Sequence, residues 1–219
     1  MLLKIKDLSF KYKKDYILEN INYNFKDGKI YGLFGKNGVG KTTLLNVLKG
    51  RYSYLGDIKL DNKVLESNDV TFIASSPDLP EFLTGEEYIK YLLKINDSSK
   101  INKIDEYFEI VNLDINDKYK LLKDYSHGMK NKIEILTSII LNNKIILLDE
   151  PLTNLDIISQ EEIKEILNKL KQKRIILIST HILDIASSIC DEILILKDKK
   201  LNNINNNRED IIESIKNDY

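Results

Sequence analysis

Residues Gly35 to Thr42 read GKNGVGKT, a full match to the spacing G-x-x-x-x-G-K-[ST]. An apolar segment, KIYGLF, runs straight into it, and a helical pattern, KTTLLNVLKG, leaves it. Glycines at these positions let backbone N–H groups converge on phosphate oxygens, and the following helix turns its positive end to the same anion. Lys41 then reaches β- and γ-phosphates, and the Thr42 hydroxyl is placed to bind Mg2+. Gly35, Lys36, Asn37, Gly38, Val39, Gly40, Lys41, Thr42 and Thr43 are the expected nucleotide contacts. A second acidic element, IILLDE at 145–150, ends an apolar strand in two carboxylates. Asp149 is placed to support Mg2+, and Glu150 is the candidate general base, able to point past the metal towards water. An acidic pair after a strand is often only a solvated strand end. Beside a phosphate loop it predicts a nucleoside triphosphate site.

DYSHGMKNKIEIL, at 124–136, puts a serine next to a histidine. Neighbouring side chains on a forming helix do not face each other, so Ser126 and His127 make a poor nucleophile and base. Ser126 reads instead as the N-cap of the helix carrying Ile133, Leu136 and Ile140. That leaves a helix end suited to an anion, with no nucleotide of its own. Cys190 is the only cysteine, which excludes an internal disulfide and a cysteine metal cluster; its apolar surroundings read as core.

The elements that must position these residues follow from patterning. The 219 residues allow one compact domain, and the formal net charge of −1 gives no field to recruit nucleic acid. Charges at positions 4, 6 and 7 break any signal-peptide core, and no apolar run approaches bilayer length, which predicts a soluble intracellular chain. Segments 2–10 and 18–25 alternate as strands, the second with Ile21, Tyr23 and Phe25 on one face. Residues 56–65 read as a hairpin around Asp61-Asn62, and VTFIA at 70–74 as a buried strand. Gly50 is the expected helix stop. Spacing turns helical over 76–140, and apolar strands return in KIILLDE, RIILIST and DEILIL, separated by helices near 157–171 and 182–189. Buried strands alternating with helices predict an α/β fold on a mainly parallel sheet. The runs KYKK at 11–14 and KDKK at 197–200 read as solvated turns, and residues 201–219 as an asparagine-rich link and a short amphipathic helix.

With these motifs in order, the chain resembles the ATP-binding cassette (ABC) ATPases almost from end to end. YSHGMKNK stands where that family has an LSGGQ-type signature and is similar to a bacterial exporter variant; Ser126 and Gly128 hold the required places, with His127 where glycine is commoner. EPLTNLD at 150–156 resembles the Walker B glutamate followed by the D-loop, which ends in Asp156, and ILISTH at 176–181 ends in the switch histidine, His181. Tyr12, 23 residues before Gly35, fits the ring that stacks on adenine, with Tyr16 the lesser candidate. The Q-loop glutamine, a glutamate in some exporters of that family, is missing: Ser75 stands closest to its place, with Ser76 next to it as the alternative, in ASSPDLPEFLTGEEY.

The resemblance implies a single P-loop NTPase domain. Residues 1–75 would hold an antiparallel β subdomain and the phosphate-loop part of the core, 76–140 a helical subdomain, 141–200 the rest of the core and 201–219 a tail. It implies an Mg2+-dependent ATPase that pairs with a second ATPase subunit, so that Ser126, Gly128 and Asp156 meet the nucleotide across the dimer. Glu150 and His181 would be catalytic. A separate transmembrane permease would hold the pair on the cytoplasmic face of the membrane, in an exporter. An alternative is a soluble ABC ATPase driving assembly of other proteins, such as an iron–sulphur assembly factor. A two-cassette translation factor does not fit one cassette, and a nucleotide kinase leaves YSHGM and His181 unexplained.

Overall fold

The computed structural model describes residues 1–96 and 103–204. Strands β1 (Leu2–Tyr12) and β2 (Asp15–Lys26) pair as an antiparallel hairpin, and β4 (Leu55–Leu60) with β5 (Lys63–Val64) extends them into a four-stranded sheet in the order β2-β1-β4-β5. The β4–β5 turn falls at Asp61-Asn62, both with positive φ, as the tight hairpin turn requires. The second sheet has six strands. It comprises β3 (Lys29–Phe34), β6 (Val70–Ile73), β7 (Ile145–Asp149), β8 (Ile175–Thr180), β9 (Glu192–Lys197) and β10 (Lys200–Ile204), in the order β10-β9-β3-β8-β7-β6. All its pairings are parallel except β9 with β10.

The apolar runs on β7 and β8 explain why this sheet lies in the middle. Ile145, Leu147, Ile175 and Leu177 face a cluster with Leu3, Ile5, Phe25 and the helix α1 (Lys41–Leu48). Their alternates, Ile146, Leu148, Ile176 and Ile178, face a cluster with α2 (Gly85–Asn96), α3 (Ile104–Ile110), α4 (His127–Ile140) and α5 (Ile157–Leu170). Strands with both faces buried must be apolar at every position, not at alternate ones. Helix α6 (Leu183–Ile189) follows β8, and Ala186 joins Phe34 and Ile193 in a small third cluster. Helix α1 stops as expected: Gly50 N–H donates to Val47 O at 2.9 Å and Arg51 N–H to Asn46 O at 3.0 Å, a Schellman closure.

One expectation is corrected. Residues 200–204 form the edge strand β10 rather than a link, with Lys200 to Ile204 registered against Lys197 to Ile193. The turn before it is Asp198-Lys199, where both residues have positive φ. The amphipathic helix expected after it lies outside the described residues. Among the described residues no helix is long and apolar enough to cross a membrane.

Candidate active site

The phosphate loop, Asp149, Glu150, His181 and Ser75 all sit at the carboxyl ends of parallel strands, where an open α/β sheet places its ligand crevice. Gly40 caps α1 with φ 112°, and a Cβ there would lie 2.9 Å from Ile17 Cγ2, so both backbone and packing demand glycine. The Lys41 ammonium is buried, donating to Gly35 O at 2.7 Å and Lys36 O at 3.2 Å. Burial pushes its pKa down, opposed first by the Glu150 carboxylate and then by Asp149. A buried cation with this environment favours an anionic partner.

Thr42 Oγ1 donates to Asp149 Oδ2 at 2.8 Å, and Ser179 Oγ donates to the other carboxylate oxygen. Two hard oxygen donors therefore stand together beside the phosphate loop, the donor set Mg2+ takes alongside phosphates and water. The residues present fit both a triphosphate and that ion. Glu150 has φ 52°, a left-handed backbone that costs a non-glycine residue roughly 1–3 kcal/mol. Its N–H donates to Ser179 O at 3.1 Å, and its Oε2 accepts from Thr153 Oγ1 at 3.1 Å. Its Oε1 lies 2.8 Å from His181 Nδ1 and 4.0 Å from Lys41 Nζ. Since a carboxylate only accepts, His181 holds its proton on Nδ1 and keeps Nε2 for a further partner. A cavity of about 240 Å³ opens here, lined by Asn37, Gly38, Gly40 to Thr43, Ser75, Asp149 and Glu150.

Sequence comparison decides the identity of this arrangement. The family model described as "ABC transporter" matches residues 18–153, more than half of the chain. The chain belongs to the ABC transporter family. It is similar to the lantibiotic transport ATP-binding protein SrtF of Streptococcus pyogenes, at 33% identity over 208 residues, covering 91% of this chain and 89% of the relative. It is 35% identical over 194 residues to the energy-coupling factor transporter ATP-binding protein EcfA1 of Thermotoga maritima, covering 84% of this chain and 74% of that one. Among solved structures, cbiO1 of Clostridium perfringens, described as part of the ABC transporter complex cbiONQ, superposes with a TM-score of 0.82 at 25% identity. That match covers 97% of this chain and 93% of the other. The chain is an ABC transporter ATP-binding subunit, and the family implies ATP hydrolysis.

The segment expected to be the signature, YSHGMK, lies away from the cavity. Ser126 is the N-cap of α4 as expected, accepting from Met129 N–H at 3.2 Å. A Cβ on Gly128 would come within 3.0 Å of Ser159 Oγ, so glycine there lets the start of α4 press against the start of α5. Asp156 caps α5, accepting from Ser159 N–H at 2.9 Å and Ser159 Oγ at 2.7 Å, and these bonds hold its carboxyl below the usual range. Gly128 and Asp156 thus both meet Ser159, with Ser126 two positions before Gly128, and none of the three lines the phosphate cavity. His127 is half-buried. Tyr12 does not line the cavity either; its ring is exposed and edge-on to Phe10 at 6.4 Å. Tyr16 has one face taken by Lys11 Nζ, 4.1 Å from its centroid. Cys190 packs at Gly32, and burial pushes its thiol up to about 12, which removes it as a nucleophile.

Two polar partners in the site escaped the sequence reading. Ser179 is fully buried and holds both Asp149 and the Glu150 backbone, and Thr153 holds the Glu150 carboxylate. The signal for Ser179 was a hydroxyl following the apolar run IILI within one strand, since buried polar groups need a partner.

Proposed function

We propose that this subunit hydrolyses Mg-ATP as one of a pair of ABC ATPase subunits, homo- or heterodimeric, that drives a separate transmembrane permease, and that the cycle serves export. Lys41 and the phosphate-loop N–H groups hold the triphosphate, and Tyr12 stacks on the adenine. Thr42 and Asp149 hold Mg2+, which when bound neutralises charge on the phosphate oxygens. Glu150 takes a proton from the attacking water, and His181 fixes the Glu150 carboxylate while its free nitrogen meets the γ-phosphate. Ser126 and Gly128 of one subunit close on the nucleotide of the other, with Asp156 at the seam.

The observation that carries this reading is the Lys41–Glu150–His181 constellation beside the Thr42–Asp149 pair, all at one sheet edge. Export is supported by the Tyr-Ser-x-Gly-Met-Lys form of the signature and by the likeness to a lantibiotic transport protein. The test is recovery of the tagged full chain from detergent-solubilised membranes of its own cells. A stoichiometric multi-spanning membrane protein in the complex, stimulating ATP hydrolysis, is the expected result. A chain found only in a soluble assembly complex would overturn the permease assignment.

A further inference from the structure

Two amides in the helical layer, Asn131 buried and Gln160 half-buried, do not line the phosphate cavity. Asn131 of α4 is 2% exposed; its Nδ2 donates to Pro151 O at 3.1 Å, while its Oδ1, equally buried, has no partner among the described residues. A half-satisfied buried carboxamide is less stable than an apolar side chain of the same shape, so packing alone does not account for it. From α5, Gln160 Nε2 donates to Leu152 O at 3.2 Å and to Leu155 O at 3.1 Å. Side-chain amides from two helices therefore hold three carbonyls within the five residues that follow Glu150. Glu150 itself has φ 52° and precedes a proline, and such a backbone persists only where its surroundings fix it.

We propose that Asn131 and Gln160 are positioning residues that clamp segment 150–155 and so hold the Glu150 carboxylate over the phosphate cavity. Asn131 also ties that carboxylate to the helix that starts at Ser126. A displacement of the Ser126 end of α4 is thereby passed to Glu150 through one buried hydrogen bond rather than through the cavity. This rests on the reading of Glu150 as the base.

The test compares the purified full-length chain with Asn131→Leu, Gln160→Met, the double variant and Glu150→Gln, measuring Mg-ATP hydrolysis, ATP affinity and thermal stability. Asn131→Leu should keep or raise the melting temperature and leave KM within about two-fold, while kcat falls roughly ten- to hundred-fold, the scale of a misplaced catalytic group. Gln160→Met should do the same to a smaller degree. The double variant should lose less than the product of the two, because both act on one segment. Hydrogen exchange at 151–156 should quicken in each variant while β7 is unchanged, and this readout decides the matter if turnover is too slow to compare. Should Asn131→Leu fail to fold, Gln160→Met carries the same two readouts. Wild-type kcat with unchanged exchange, or a kcat loss that only follows a fall in melting temperature, would overturn the clamp. Wild-type hydrolysis by Glu150→Gln would instead overturn the base assignment and the clamp with it. An inactive Glu150→Gln beside unaffected clamp variants would sink the clamp alone.

Discussion

At the carboxyl edge of the six-stranded sheet, Lys41, Asp149 and Ser179 are buried, and each bonds to groups of the same chain. At the paired starts of α4 and α5, Ser126 and Asp156 are exposed, and Ile157 and Ile158 are 78% and 73% exposed. The first region has its charges countered and its geometry fixed before any second molecule arrives. The second presents a capped helix end and two apolar side chains to the outside. Large apolar side chains at the tip of a polar helix end suit a surface that another protein covers. On the proposed function the contrast divides the labour: the first region would hold and cut the nucleotide, and the second would report on a partner.

Breaking the first region should have the largest effect. Lys41→Ala removes the buried cation, and ATP affinity should fall on the order of a hundred-fold, with hydrolysis lost. Calorimetric titration with Mg-ATP checks this. Breaking the second region should separate binding from turnover. Ser126→Arg puts a bulky cation at the α4 end and should cut hydrolysis about a hundred-fold, as expected for loss of one anion-stabilising helix end. Affinity measured by the same titration should stay within about two-fold, since α4 does not line the cavity. A large loss of affinity in the monomer would erase the distinction between the regions.

Smaller effects are expected in the loop that runs from Ser75 at the cavity to Asp78, which bonds to Glu134 of α4. Ser75 lines the cavity with a side chain shorter than the glutamine that the family resemblance leads one to expect there. Water can substitute for one neutral ligand at little cost in affinity, so ordering of the attacking water is what suffers. Ser75→Gln should therefore speed hydrolysis by the isolated subunit several-fold with unchanged affinity, as read by steady-state kinetics. Unchanged turnover would show that the loop works in another way.

A few residues on, Asp78 N–H donates to Glu134 Oε1 of α4 at 3.3 Å, while Glu134 Oε2 is buried without a partner among the described residues. Burial pushes the Glu134 carboxyl up to about 7 from its ordinary 4.5; the Asp78 N–H opposes this and the Asp78 carboxylate adds to it. The folded chain thus keeps a proton that the unfolded chain loses between pH 4.5 and about 7. The contribution is intact below pH 4.5 and is lost as pH rises through that window. Glu134→Gln should flatten this slope and, at pH 8, stabilise the fold by up to about 3 kcal/mol. Urea unfolding of both proteins at pH 5 and pH 8 measures it.

The first region was largely legible in the sequence because its parts sit where a strand ends and a helix or loop begins, and each junction carries its own motif. GKNGVGKT, LLDE and ISTH all lie at such junctions, and the parallel order of β3, β7 and β8 then brings them together. The Asp61-Asn62 hairpin was legible for a local reason, since both residue types tolerate the left-handed backbone. The edge strand β10 was not. Its residues read as a polar link, and the turn that starts it puts Lys199, a poor left-handed residue, at φ 66°. Pairing with β9 overrode that local preference. Ser179 left only its hydroxyl as a hint and Asn131 left none, because their roles lie in hydrogen bonds that cross 30 and 20 positions of sequence. The second region was legible as a motif and silent as a site, since Ser126, Gly128 and Asp156 do not line the cavity.

The division between the two regions is tested most directly by the mass of Glu150→Gln in solution. The variant removes the proposed base and leaves Lys41, Thr42 and Asp149 in place. Light scattering after gel filtration should therefore give a monomer without nucleotide and a stable dimer with Mg-ATP. The same variant carrying Ser126→Arg should bind ATP and stay monomeric. A Glu150→Gln chain that hydrolyses ATP at the wild-type rate, or a double variant that dimerises as well as the single, would contradict the account.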